Sequence, residues 1–268
     1  MTYKRLDGRK PEDLREMEAK AGVIPNANGS AYFKAGNTIA YAAVYGPREL
    51  IPRFLQDPKT GLIRCHYNML PFSGSGDRIR PGNKRRSQEI SMVMQSALNL
   101  VVDLKDFPNS VVDIFVEFPQ TDAGSRCAAI SAAAIALADA GIPMKDMISA
   151  VAMGQVDGTV MADLTYAEEA FDGVVSDIPI AMTHNNKAIT LLQMDGEISK
   201  EDLLKALEMG KEATEKVYEV QIKALKEKFE LPGVDTSSVV KEPSHATETS
   251  VDEKTEASEP EQSEEKEV

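Results

Sequence analysis

Three strings in this 268-residue chain hold side chains able to bind an anion or move a proton. The first is Thr121 to Arg126, TDAGSR, lying between a strand-like segment and an alanine-rich helix. There the backbone N–H groups of Gly124, Ser125 and Arg126 stand at the positive end of a helix dipole, where an anion fits. The Ser125 hydroxyl and the Arg126 guanidinium add donors, and Gly124 lets the backbone come close to a ligand. A plain serine N-cap beside a surface arginine fits this string equally well. The second is RIRPGNKRRSQEI, Arg78 to Ile90, with Arg78, Arg80, Lys84, Arg85 and Arg86 inside nine positions. Basic runs are usually solvated faces. Arg85 and Arg86, however, fall where a helix begins, and the dipole disfavours cations there unless an anion sits between them. The third is the acidic stretch from Asp163 to Ala181, in which Glu168, Glu169, Asp172 and Asp177 lie around a strand edge. Such carboxylates can act as general acids or hold a divalent cation, although solvated loop carboxylates are the commoner case. Ser73 to Gly76 lacks the Lys-Ser/Thr ending of a phosphate loop and a histidine in triad order, and reads as a flexible loop.

The elements that must position these strings alternate strands and helices. Ser30 to Phe33 and Thr38 to Tyr45 are strands joined through Ala35-Gly36-Asn37, a hairpin signal, and Ile63 to Phe72 is another strand. A helix is expected from Arg85 to Val102, with Ile90, Val93, Ala97, Leu98 and Val101 on one face. Val111 to Phe118 alternates as a strand, and Gly124 to Ala140 is a helix whose small residues allow close packing. Strands at Ser149 to Val156, Thr159 to Leu164, Ile178 to Met182 and Ala188 to Met194 follow. Ser199 with Asp202 resembles a capping box and opens a helix to Phe229. This order predicts a two-layer α+β fold of duplicated strand-and-helix units.

Composition bounds the rest. The formal net charge is −13, from 43 acidic and 30 basic residues. Residues 233 to 268 carry 11 acids against three lysines and no aromatic, so a disordered acidic tail is expected there. Residues 1 to 232, the expected domain, then hold 32 acids against 27 bases and are only mildly acidic. No apolar run reaches the roughly 18 to 20 residues of a membrane helix, and the N-terminus lacks a signal-peptide stretch; a cytoplasmic chain with no membrane partner is expected. Two cysteines and three histidines without metal-ligand spacing argue against a disulfide scaffold or a zinc enzyme.

In fixed order, RLDGRKPEDLR (Arg5 to Arg15), NGSAYFKAGNT (Asn28 to Thr38), VYGPRE (Val44 to Glu49), MLPFS (Met69 to Ser73), RRSQEI, TDAGSRCAA, ALADAGIPMKDMI (Ala136 to Ile148) and MADLTYAEEA (Met161 to Ala170) resemble the RNase PH family. The similarity covers residues 3 to 229 and is strongest to the catalytic branch of the archaeal exosome. It implies a phosphorolytic 3′ to 5′ exoribonuclease that takes RNA and inorganic phosphate, releases nucleoside diphosphates and can run in reverse to add tails. Gly124, Ser125 and Arg126, with Arg86, match the family's phosphate site; Arg85 and Arg86 match arginines on the RNA end; Arg53 matches a loop arginine facing the RNA path.

The family's active members carry two aspartates six positions apart. Asp177 matches the second and is the candidate ligand for Mg2+. For the first, Glu169 occupies the place, with Asp172 in a longer loop as the other candidate. The resemblance also implies partners: an inactive RNase PH-like paralogue alternating with this chain in a hexameric ring of three heterodimers, and RNA-binding cap subunits. Two readings compete. Glu168-Glu169-Ala170 also resembles relatives that have lost activity, which suits a non-catalytic RNA-binding ring subunit, and a free-standing RNase PH would act on tRNA 3′ ends.

Overall fold

The computed structural model describes residues 3–80 and 84–230. The expected acidic tail, 233–268, lies outside the described residues. Among the described residues no helix is long and apolar enough to cross a membrane.

The first half builds a five-stranded sheet from β1 (Met17–Ala21), β2 (Gly29–Ala35), β3 (Thr38–Glu49), β4 (Leu62–Met69) and β5 (Ser110–Gln120), in the order β1-β2-β3-β5-β4. β2 and β3 form the hairpin announced by Gly36-Asn37. β4 runs parallel to β5, a pairing that needs a crossover. Helix α1 (Arg85–Asn99) supplies it, burying Ile90, Met94, Ala97 and Leu98. The strand β1 escaped the sequence reading because its short run, MEAKA, alternates charge with alanine and owes its pairing to β2.

The second half is a four-stranded antiparallel sheet, β7-β6-β8-β9, from β6 (Ile148–Val156), β7 (Thr159–Ala162), β8 (Val175–Thr183) and β9 (Ile189–Leu192). Helix α2 (Ser125–Asp139) precedes it, a one-turn α3 (Tyr166–Glu169) lies between β7 and β8, and α4 (Lys200–Phe229) closes the unit. At the start of α4 the Asp202 N–H donates to Ser199 Oγ at 3.1 Å, completing the expected cap.

Alanine decides how the halves join. Twelve of the 15 residues of α2 are buried, as expected of a helix apolar all round. It packs against β2 and β3 on one side and β6 on the other. Along β6, Ala150 and Ala152 join the core around α2, while Val151 and Met153 join a second cluster with Ala206 and Ala213 of α4. The first sheet therefore has helices on one face and the second has them on both. Gln221 of α4, fully buried, donates to the carbonyls of Ser131 (3.1 Å) and Ile148 (3.0 Å) and accepts from Ser149 Oγ (2.7 Å), tying helix, helix and strand together.

Candidate active site

The loop before α2 is held in an unusual backbone conformation. Ala123 has φ 57° and Gly124 φ 62°, a left-handed pair that glycine accepts freely and alanine only at a cost of about 1–2 kcal/mol. Buried Thr38 of β3 fixes it, donating through Oγ1 to the Ala123 carbonyl (2.8 Å) and accepting the Asp122 N–H (2.9 Å). Arg15 holds the same loop by donating to the Asp122 carbonyl. Arg15 also grips Asp163 in bidentate fashion, Nη2 to Oδ1 at 2.6 Å and Nε to Oδ2 at 2.9 Å. Burial alone would raise the Asp163 pKa, but the Arg15 hydrogen bonds and charge bring it below the usual carboxylate value.

This frame leaves the N-terminus of α2 open. Among the described residues no side chain caps it, and no acidic residue occupies its first turn. The same is true of α1, whose first turn carries Arg85 and Arg86. Uncapped helix N-termini with adjoining arginines hold unsatisfied donors and positive charge, the arrangement that binds anions. Ser125 is buried and its Oγ accepts a 2.8 Å hydrogen bond from the Tyr67 hydroxyl of β4. Burial pushes the Tyr67 pKa up, so the phenol keeps its proton.

A cavity of about 340 Å³ opens at this point, lined by Arg86, Arg126, Glu169, Asp177 and Asp195 with Val175 and Gly196. The structure thus brings together four residues singled out in the sequence, from four different elements. Arg126 donates to Gln193 Oε1 at 2.6 Å. Asp177 on β8 exchanges two 2.9 Å backbone hydrogen bonds with Asp195. Its Oδ1 is buried without a hydrogen-bond partner among the described residues. Burial raises the Asp177 pKa, Arg126 opposes the rise and Asp195 adds to it. Glu169 is pushed up to about 7, first by burial and then by the Asp177 charge, with the Gly124 backbone N–H and Arg86 pulling the other way.

Other candidates fall elsewhere. Asp172 is exposed and does not line the cavity. Glu168 is buried but turned away, bonded to Arg5 by Nε to Oε1 (2.8 Å) and Nη2 to Oε2 (2.9 Å). Arg85 is exposed and lies outside the cavity lining, while Arg53 sits on an exposed 3₁₀ turn paired with Glu49 at 3.6 Å. Ser73, read as part of a flexible loop, is buried; its carbonyl accepts the Thr121 N–H at 2.8 Å. Tyr67, Gln193 and Asp195 were missed. Tyr67 could have been found as the third inward position of β4 after Ile63 and Cys65, whereas Asp195 is recruited by a bridge between strand edges that no local pattern announces.

Arginines, uncapped helix N-termini and a raised carboxyl in one cavity define an enzyme that manipulates phosphate groups. The chain belongs to the RNase PH family, a 3′ exoribonuclease family: residues 13–143 match its domain 1 and residues 146–213 its domain 2. Its activity is that of a phosphorolytic 3′ to 5′ exoribonuclease. The chain is 46% identical over 226 residues to the exosome complex component Rrp41 of Thermococcus gammatolerans, covering 84% of this chain and 90% of that protein. It is 47% identical to the Methanopyrus kandleri protein of the same name, with 84% and 93% covered. Among solved structures, rice (Oryza sativa) Rrp46 matches with a TM-score of 0.74 at 25% identity, covering 83% of this chain and all of that one.

Proposed function

We propose that this chain is the catalytic subunit of an archaeal-type RNA exosome, alternating with an inactive RNase PH-like paralogue in a hexameric ring of three heterodimers that carries RNA-binding cap subunits. Relatives named as exosome components support the assembly. The observation that carries the catalytic assignment is the single cavity in which Arg86 and Arg126 face Glu169 and Asp177 beside the uncapped start of α2. The catalytic body is residues 1–232, the acidic segment 233–268 takes no part in the chemistry, and the complex works in the cytoplasm.

Inorganic phosphate binds at the N-terminus of α2, held by the backbone N–H groups of Gly124, Ser125 and Arg126, the Ser125 hydroxyl and the guanidinium groups of Arg126 and Arg86. Charge-assisted donors of this kind hold phosphate through short, directional bonds. Arg86 also reaches the scissile phosphate, while Arg85 and Arg53, outside the cavity, guide the RNA. A phosphate oxygen attacks the last phosphorus of the RNA, and the bond from that phosphorus to the 3′ oxygen of the preceding nucleotide breaks. A nucleoside diphosphate leaves, and the departing 3′ oxygen takes a proton to become the new RNA end. Glu169, with a pKa of about 7, is protonated often enough at neutral pH to give that proton. Fixed donors aimed at the in-line transition state supply the rest of the acceleration. With nucleoside diphosphate in excess the same steps reverse and lengthen RNA.

Asp177 also fits a divalent cation. Asp177 offers an unpartnered buried Oδ1, and Mg2+ typically takes one or two carboxylates, substrate phosphates and its own waters. Among the described residues no group of three or more His, Cys, Asp or Glu residues is placed to hold a metal ion. Bound at Asp177, Mg2+ would neutralise charge on the phosphoryl oxygens.

The test is product analysis. Uniformly labelled RNA, incubated with the assembled complex and resolved by thin-layer chromatography, should yield nucleoside diphosphates only when phosphate is present. Nucleoside monophosphates, or no product at all, would overturn the assignment.

A further inference from the structure

Beside the phosphate cavity lies an open groove of about 760 Å³ between the Phe72–Ser75 loop, the Pro119–Asp122 segment and the start of α3. It is continuous with the site. Tyr166 and Thr121 line both this groove and the adjoining cavity that contains Arg86, Ser125 and Glu169. Two aromatic rings flank the groove and are turned to solvent, Phe72 at 73% and Tyr166 at 54% exposure. No lysine or arginine lines it among the described residues. Arg86 also borders a cavity of about 190 Å³ that Tyr67, Met69 and Ile79 line together with Asn68 and two further cations, Arg80 and Lys84. Arg86 therefore stands between a flank that carries two further cations and a groove that carries none among the described residues.

Resting on the function proposed above, we infer that the aromatic groove is a base-stacking subsite: Phe72 and Tyr166 receive bases of the RNA 3′ end while the cationic flank follows its phosphates. Single-stranded nucleic acid is held in this divided way, with cations along the backbone and aromatic faces under the bases, and every base has a face to stack. The position of Tyr166 makes it more than a sticky surface. Its backbone N–H donates to Asp122 Oδ1 at 3.0 Å, and it follows Thr165, whose capping box with Glu168 locks the turn. A base on this ring is thereby set at a fixed offset from Glu169, three residues on. Stacking of this kind holds RNA of any sequence in register with the phosphate site.

The test uses the assembled complex, with RNA affinity read by fluorescence anisotropy without phosphate and turnover read with it. Tyr166→Ala and Phe72→Ala should each weaken binding of single-stranded RNA about tenfold and raise its KM, leaving the KM for phosphate within about twofold. Tyr166→Phe, which keeps the ring, should regain the affinity that Tyr166→Ala loses. RNA with abasic 3′-terminal positions should bind the unaltered complex weakly and lose nothing further with Tyr166→Ala. Equal losses on normal and abasic RNA, or unchanged RNA affinity in both alanine variants, would overturn the subsite. A complex that makes nucleoside diphosphates normally yet shows those results would sink the stacking alone; failure to make them with phosphate would sink the catalytic reading itself.

Discussion

Arg5 and Glu168, 163 residues apart in sequence, form a two-pronged ion pair with both side chains 1% exposed. Arg5 also donates to the carbonyls of Ala162 and Asp163 at 2.8 Å, and Glu168 accepts the Thr165 N–H at 2.9 Å. The N-terminal segment thus clamps the single turn of α3, and the next residue on that turn is Glu169. Removing one partner leaves the other charge buried and unpaired, which costs about 3–5 kcal/mol. Arg5→Ala should lower the melting temperature by several degrees and reduce kcat in the surviving folded protein. An unchanged melting curve would show that the clamp carries no weight.

The carboxylate question is settled differently by two substitutions. Glu169→Gln should reduce phosphorolysis at least about 100-fold, because the group lines the cavity. Asp172→Asn should stay within about twofold, since Asp172 is exposed outside it. Steady-state rates on the same RNA separate the two, and the reverse ranking would move the acid to the longer loop.

Arg126→Ala and Asp177→Asn should each cost at least about 100-fold in kcat/KM, the scale of losing a main charge-stabilising group, while the size-exclusion profile of the complex stays unchanged. Rates near those of the unaltered complex in either variant would remove that residue from the site.

Glu169 also links stability to pH. Its folded pKa, about 7, lies above the unfolded value, so the folded state favours the protonated form and stability falls as pH rises from about 4.5 to 7. Above pH 7 the ionised group is a net burden of about 2 kcal/mol, allowing for its partial exposure. Glu169→Gln should therefore unfold at higher denaturant than the unaltered protein at pH 8 in metal-free buffer, and the gap should close near pH 4.5. A gap that is the same at both pH values would contradict the raised pKa.

Tyr67→Phe removes the hydroxyl that donates to Ser125 Oγ. The KM for phosphate should rise several-fold with little change in the KM for RNA, as measured by varying each substrate in turn. An unchanged KM for phosphate would mean that Ser125 needs no help in presenting its hydroxyl.

What the sequence revealed depended on how far each residue reaches. Local periodicity located the β2–β3 hairpin, α1, α2 and α4, and the anomaly of Arg85 and Arg86 at a helix start pointed toward the site. The resemblance singled out Glu169 with Asp172 as the alternative, but no pattern showed what holds Glu168 out of the site, which is Arg5, at the other end of the chain. Asp113 was likewise only an alternating strand position; in the structure it is fully buried beneath Arg48 and Arg64 from two neighbouring strands. Asp195 enters the cavity through its backbone bridge to Asp177, a contact fixed by the strand order of the second sheet. Net charge is as uninformative: a total of −13 says nothing of two arginines meeting at one pair of helix ends.

The central claim, that inorganic phosphate is the nucleophile, is tested most directly by following its label. With radiolabelled inorganic phosphate and unlabelled RNA, the assembled complex should place the label in the β position of every nucleoside diphosphate released, one per bond cleaved. Cleavage that proceeds with no label in the product would contradict the account.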